Sequence, residues 1–176
     1  MIKKVLIATD GSVHARKAVE FGSDNASKYG AEVVLVHVLL RDELSENLRH
    51  LAEVEYGYAE GGKPISEAIA MIPEGRFPEA SLQPKPAQTP GQVLRAVGDQ
   101  ILTEAERLAR EHGVSQVSKE VEDGDPVKRI LEVAKDVKPD LIVTGARGFS
   151  DLKALMVGSV SHKLSHLSPV TCITVR

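Results

Sequence analysis

The chain has 176 residues, a formal net charge of −3 and a hydrophobic fraction of 42%, with a mean hydropathy of −0.12. This is the profile of one globular domain long enough to bury a core. No basic excess is present to neutralise nucleic-acid phosphates, and with no Trp, three Phe and three Tyr there are few platforms for stacking bases. The single cysteine, Cys172, excludes an intrachain disulfide and zinc sites built on several thiols, and it reads as a small core residue.

The first apolar run, Val5 to Thr9, stops at Asp10-Gly11. That is too short for the apolar segment of a signal peptide, and no run approaches the length of a membrane span, so cytoplasm is the expected compartment. Asp10-Gly11-Ser12 signals a turn and a helix start. From Ser12 to Tyr29 the residues Ala15, Ala18, Val19, Gly22 and Ala26 recur at helical spacing, with Gly30 at the stop position. Glu32 to Leu40 is apolar on both faces, as befits a parallel strand covered by helices on either side.

The pattern then breaks. Residues 42–90 carry nine acidic and four basic side chains, and six of the nine prolines lie between Tyr56 and Gly91. Short helices are predicted at Leu44 to Glu55 and Pro64 to Met71, within an acidic, proline-rich insertion that reads as irregular or mobile. It leaves the second strand just after Val38, so its base is expected at the rim of any site there. That makes it a candidate lid or partner surface.

Regular patterning resumes at Gln92 to His112, where Val93, Val97, Ile101, Ala105, Leu108 and Ala109 form a helical stripe ended by Gly113. Val114 to Val121 alternates as a third, more exposed strand. Gly124-Asp125-Pro126 starts a helix, with Asp125 as N-cap and Pro126 at the first helical position. Leu141 to Thr144 is the fourth strand, Gly158 to Leu167 the last helix, and Val170 to Val175 the fifth strand. Alternation of strands and helices predicts an α/β fold with a parallel sheet and right-handed crossovers. Ligands in such sheets sit beyond the carboxyl ends of the strands, where strand order reverses.

The chemistry concentrates in Gly145-Ala146-Arg147-Gly148, then nine residues, then Gly158-Ser159-Val160-Ser161. Glycines at a strand end expose backbone N–H groups, and a helix start offers unpaired N–H groups with partial positive charge. Two such donor clusters suit a polyphosphate. Three glycines around one loop add nothing to a core and cost chain entropy, which favours ligand binding over plain turn chemistry. Asp10-Gly11-Ser12 and Gly124-Asp125-Pro126 taken alone are ordinary helix starts. His162 and His166 have the spacing of a metal pair, but no Glu follows His162 and no third ligand is apparent, so they read as surface histidines. Lys153 is placed either near the phosphates or in solvent. No Walker A lysine, paired carboxylates or convincing base supports efficient phosphoryl transfer.

Taken in order, Ile7-Ala8-Thr9-Asp10-Gly11-Ser12, Gly124-Asp125-Pro126 and Gly145-x2-Gly148-x9-Gly158-Ser159 resemble the ATP-binding branch of the universal stress protein family, over residues 1–40 and 92–176. The resemblance implies a single Rossmann-like domain, a five-stranded parallel sheet of order 3-2-1-4-5 with helices on both faces, and a homodimer through Val170 to Val175. It also implies ATP, or ADP or AMP, between the ends of strands one and four, with Mg²⁺ held mainly by phosphate oxygens and water. Carried over by position, Asp10 and Val38 lie at the adenine, and Asp123, Gly124 and Pro126 near the ribose. Gly145, Arg147, Gly148, Gly158, Ser159, Val160 and Ser161 hold the phosphates, with Ser159 and Ser161 as hydroxyl donors and Asp10 remote from the γ-phosphate. The expected function is a nucleotide-dependent regulatory switch in a stress response. The alternatives are a slow ATP hydrolase and an interaction module that keeps only the fold. Neither nucleic acid nor membrane is expected as a partner.

Overall fold

The computed structural model describes residues 1–39, 90–148 and 158–176. The expected insertion with its two short helices, and Lys153, lie outside the described residues. In chain order the elements are β1 (Lys4–Ala8), α1 (Val13–Tyr29), β2 (Glu32–Leu39), α2 (Pro90–Glu111), β3 (Val117–Asp123), α3 (Pro126–Val137), β4 (Leu141–Gly145), α4 (Ser159–Leu167) and β5 (Thr171–Val175). The five strands form one parallel sheet of order β3-β2-β1-β4-β5. Strand order reverses at β1, which pairs with β2 on one side and β4 on the other.

Period-two alternation sorts the central strands onto two cores. Val5, Ile7, Val33, Leu35 and Val143 pack with Ala18 and Val19 of α1 and with Leu102, Ala105 and Ala109 of α2. On the other face Leu6, Ala8, Val34, Val36, Val38 and Ile142 pack with Val127 and Ile130 of α3 and Leu164 of α4. This is why β1, β2 and β4 read as continuous apolar runs. At the amino ends, the Asp140 carboxylate accepts from the backbone N–H of Lys3 at 2.6 Å and of Lys4 at 3.1 Å, which holds its pKa below the ordinary range. That carboxylate clamps the start of β1 to the start of β4.

Helix termini follow the local rules. Ser12 caps α1 by accepting from the Ala15 N–H, and Asp125 caps α3 by accepting from the Lys128 N–H with Pro126 at the first helical position. Both α1 and α2 end in a left-handed glycine whose neighbours bond back across the last turn: Gly30 N–H to Ser27 and Ala31 N–H to Ala26, then Gly113 N–H to Arg110 and Val114 N–H to Ala109. The second of these corrects the start of the third strand, expected at Val114 and found at Val117. Val114 is 3% exposed. It is the apolar residue that closes the end of α2, and only Val117 onward pairs with β2.

Gly22 sits where α1 packs tightly on the sheet. A Cβ there would lie 2.7 Å from Ile7 Cδ1 and 3.5 Å from Val143 Cγ2. Alanine normally favours a helix over glycine by about 1 kcal/mol, but here overpacking opposes it at about 1–3 kcal/mol. Gly22→Ala is therefore expected to lower stability in urea unfolding, against its helix propensity. An unchanged or higher midpoint would show that the helix can shift without loss.

Candidate functional site

All strand ends that carry candidate residues lie on one rim. Ala8, Leu39, Asp123 and Gly145 end β1, β2, β3 and β4, and register pairs Leu39 with Asp123. From β3 across β2 and β1 to β4 is three strand spacings, about 14 Å at about 4.8 Å each, the scale of an extended nucleotide.

The turn after β1 is held at each residue. The Thr9 hydroxyl accepts from the Gly11 N–H at 3.3 Å and Asp10 Oδ1 accepts from the Ser12 N–H at 3.0 Å. Gly11 takes φ 89°, open to glycine at little strain. Ser12 Oγ, besides capping α1, donates across the rim to the Arg147 carbonyl at 3.4 Å. The turn after β1 and the loop after β4 are thus tied directly.

The loop glycines also have close neighbours within the chain. A Cβ on Gly145 would lie 2.7 Å from the Ala15 nitrogen and the His14 carbonyl carbon, so glycine lets the start of α1 cross the end of β4. A Cβ on Gly148 would fall on Asp10 Oδ2, and one on Gly158 would lie 3.2 Å from the Ala146 carbonyl. Asp10 therefore lies beside Gly148.

Ala146 is the hinge of the loop. Its N–H donates to the Val175 carbonyl at 2.6 Å, and its carbonyl accepts from the Gly158 N–H at 2.6 Å. The Ser161 hydroxyl, 3% exposed, donates within 3.0 Å of both the Ala146 and Gly158 carbonyls. In this arrangement the hydroxyl ties Ala146 to the start of α4. Val160 is half-buried against the second core, leaving its backbone as the part that can face the rim, whereas Ser159 is exposed. Gly158 occupies the N-cap of α4 and supplies no side-chain hydrogen bond. In contrast to α1 and α3, this helix start presents its first N–H groups without a side-chain acceptor.

The remaining predicted residues fall as follows. Val38 is 9% exposed and packs in the second core. Asp123 ends β3, Gly124 follows at φ 123°, and Pro126 opens α3. His162 and His166 are exposed, with ring centroids 4.7 Å apart. Among the described residues no group of three or more His, Cys, Asp or Glu converges on a metal position.

Three residues escaped the sequence reading. Arg129 Nε donates to the Asp123 carbonyl at 2.8 Å and its guanidinium pairs with Glu132 at 2.8 Å, bringing a cation beside Gly124. His14 Nδ1 is buried with no hydrogen-bond partner among the described residues. His37, 9% exposed in β2, places Nδ1 2.9 Å from the Thr9 carbonyl. A carbonyl only accepts, so Nδ1 carries the proton. The adjacency of His37 to Val38 was the available signal, but an apolar strand conceals a polar role.

The rim lies where strand order reverses in an open parallel sheet, and together they define a Rossmann-like α/β domain. The sequence profile of the universal stress protein family matches residues 1–176, and the chain belongs to that family. It is 32% identical over 176 residues to Universal stress protein YxiE of Bacillus subtilis (strain 168), covering all of both chains. Among solved structures it is similar to a universal stress protein in complex with cAMP, with TM-score 0.60, 23% identity and coverage of 99% of this chain and 97% of that one. It is also similar to the universal stress protein from Archaeoglobus fulgidus in complex with dAMP, with TM-score 0.56, 17% identity and coverage of 100% and 98%. No described helix is long and apolar enough to cross a membrane.

Burial pushes the His37 pKa down, against the hydrogen bond to Thr9 and the charges of Asp10 and Asp99, which push it up. With the folded value lowered, the unfolded chain takes up the proton first as pH falls, and stability drops below about pH 6.5 until the folded value is passed. Urea unfolding of the wild type is expected to weaken between about pH 7 and pH 5 more than that of His37→Asn. Parallel pH profiles would show that folding leaves the His37 pKa unchanged.

Proposed function

We propose that the chain binds an adenine nucleotide, ATP or its ADP or AMP forms, across the ends of β1 and β4. The bound state would set a regulatory surface in a stress response. The observation that carries this reading is the start of α4. Its N-cap is a glycine without a side-chain hydrogen bond, set against Ala146 and Arg147, and the next residue of that loop, Gly148, borders Asp10. A helix dipole and uncapped N–H groups at a glycine-built loop are a place for phosphate.

The residues present fit the group. Backbone N–H groups of Ser159, Val160 and Ser161, with the exposed Ser159 hydroxyl, would receive phosphate oxygens. Gly145, Arg147, Gly148 and Gly158 shape the loop that meets them. The ribose would reach toward Asp123, Gly124 and Pro126, and the adenine toward Val38 and Asp10. Mg²⁺ would come with the phosphates, which supply its ligands together with water. Solved structures of this fold in complex with cAMP and with dAMP support an adenine nucleotide as the class. Slow hydrolysis is the second reading, testable by steady-state phosphate release.

Ser159→Asp tests the site without removing the fold. A carboxylate at the first helical position stabilises a helix start by about 0.3–1 kcal/mol and repels phosphate from the same N–H groups. Calorimetry is expected to show at least about a tenfold loss of ATP affinity, about 1.4 kcal/mol, with thermal stability retained. Undiminished affinity would move the phosphates elsewhere.

The family resemblance also carries a homodimer through β5. That strand is a sheet edge and leaves Ile173 and Val175 half-buried. An unpaired apolar edge invites a second strand, and a symmetry mate would close it as an isologous contact. Ile173→Lys is expected to shift sedimentation from dimer to monomer. A wild type already monomeric at high concentration would refute the interface.

A further inference from the structure

His37 offers more than a packed core histidine would need. It shares a face of β2 with Leu35 and Leu39, where the sheet meets α1 and α2. An apolar side chain there would avoid desolvating an imidazole. What the histidine adds is a donor, Nδ1–H, 2.9 Å from the Thr9 carbonyl. Thr9 is the residue at which the chain leaves the sheet: its N–H still pairs with Val36 at 3.0 Å, and its neighbour Asp10 turns onto the rim.

The opposite side of the ring is closed by Gly98 of α2. A Cβ on Gly98 would stand 2.9 Å from His37 Cδ2 and 3.0 Å from Leu39 Cδ2. Glycine in a helix interior is normally unfavourable, so its place in this contact has a packing reason: it lets the helix backbone press on the imidazole. The ring is held between a helix without a side chain and a carbonyl at the strand end.

We propose that His37 is a positioning residue of the nucleotide site, its Nδ1–H being pressed by Gly98 onto the Thr9 carbonyl so that the Asp10 turn faces the β4–α4 loop. The proposal rests on the adenine-nucleotide reading above. It adds a route by which the position of α2 sets nucleotide affinity. His37 braces the Asp10 turn from β2, as the Arg147 carbonyl braces it from β4 through Ser12.

The test compares ATP binding by calorimetry in the wild type, His37→Leu, His37→Asn and Gly98→Ala, with thermal unfolding of each. Leucine fills the volume without a donor, whereas the asparagine amide nitrogen can take the place of Nδ1. Loss of one hydrogen bond predicts about a tenfold weaker complex for His37→Leu. His37→Asn is expected to return to within about threefold of the wild type. Gly98→Ala is expected to weaken binding although alanine favours the helix. A purely structural role would instead make affinity follow unfolding midpoint in all three variants.

Wild-type affinity in His37→Leu, or equal weakening in the Leu and Asn variants, overturns the proposal. Should His37→Leu fail to fold, wild-type affinity in Gly98→Ala overturns it. A wild type that does not bind ATP brings down the nucleotide reading and this inference together. A wild type that binds, with variants unmoved, brings down this inference alone.

Discussion

The closest backbone contact of the rim, that of Gly145 with the first turn of α1, governs the rest. The His14–Ala15 backbone lies so near the end of β4 that no β-carbon fits between them. This approach sets where α1 begins, and so where Ser12 can both cap that helix and reach the Arg147 carbonyl. The path of Arg147 follows from Ala146, whose N–H and carbonyl are committed to Val175 and Gly158. Through Gly158 the start of α4 is placed as well. A methyl group at position 145 would therefore disturb two crossovers and two helix starts, and not merely one contact.

The rim divides its polar groups by purpose. Ser12 and Asp125 satisfy the helices they open, so α1 and α3 have little remaining demand for an anion. The start of α4 has no such cap, and Ser161 turns inward to the Ala146 and Gly158 carbonyls. The Asp10 carboxylate lies beside Gly148.

Much of the fold was legible because its signals are local. Helix stripes, the Ser12 and Asp125 caps, the stops at Gly30 and Gly113, and the doubly apolar β1, β2 and β4 each depend on a few neighbouring residues. Strand order was not legible from those residues and came from the family resemblance, since nothing in β1 itself says it pairs with β4. The start of β3 was misplaced because Val114 is apolar for the sake of α2, not of the sheet. In the site, the loop glycines stood out, but their reasons did not. The partner of Gly145 is α1, 130 residues earlier in the chain, and the side chain that meets a Cβ on Gly98 belongs to β2. Ser161 read as a donor to a ligand, and its contact with the Ala146 carbonyl, 15 residues earlier, left no local signal.

The clamp between Asp140 and the first strand joins residues 136 and 137 positions apart, and the β1–β4 pairing it begins runs straight to the rim. The two halves of the site therefore meet only when nearly the whole chain has been threaded into the sheet. A partly folded chain has no half-strength version of it. Anything that occupies this seam is linked to global unfolding by mass action, so occupancy would protect the strands far from the rim as fully as those beside it. The concentration of any such ligand would then set how much of the chain stays folded.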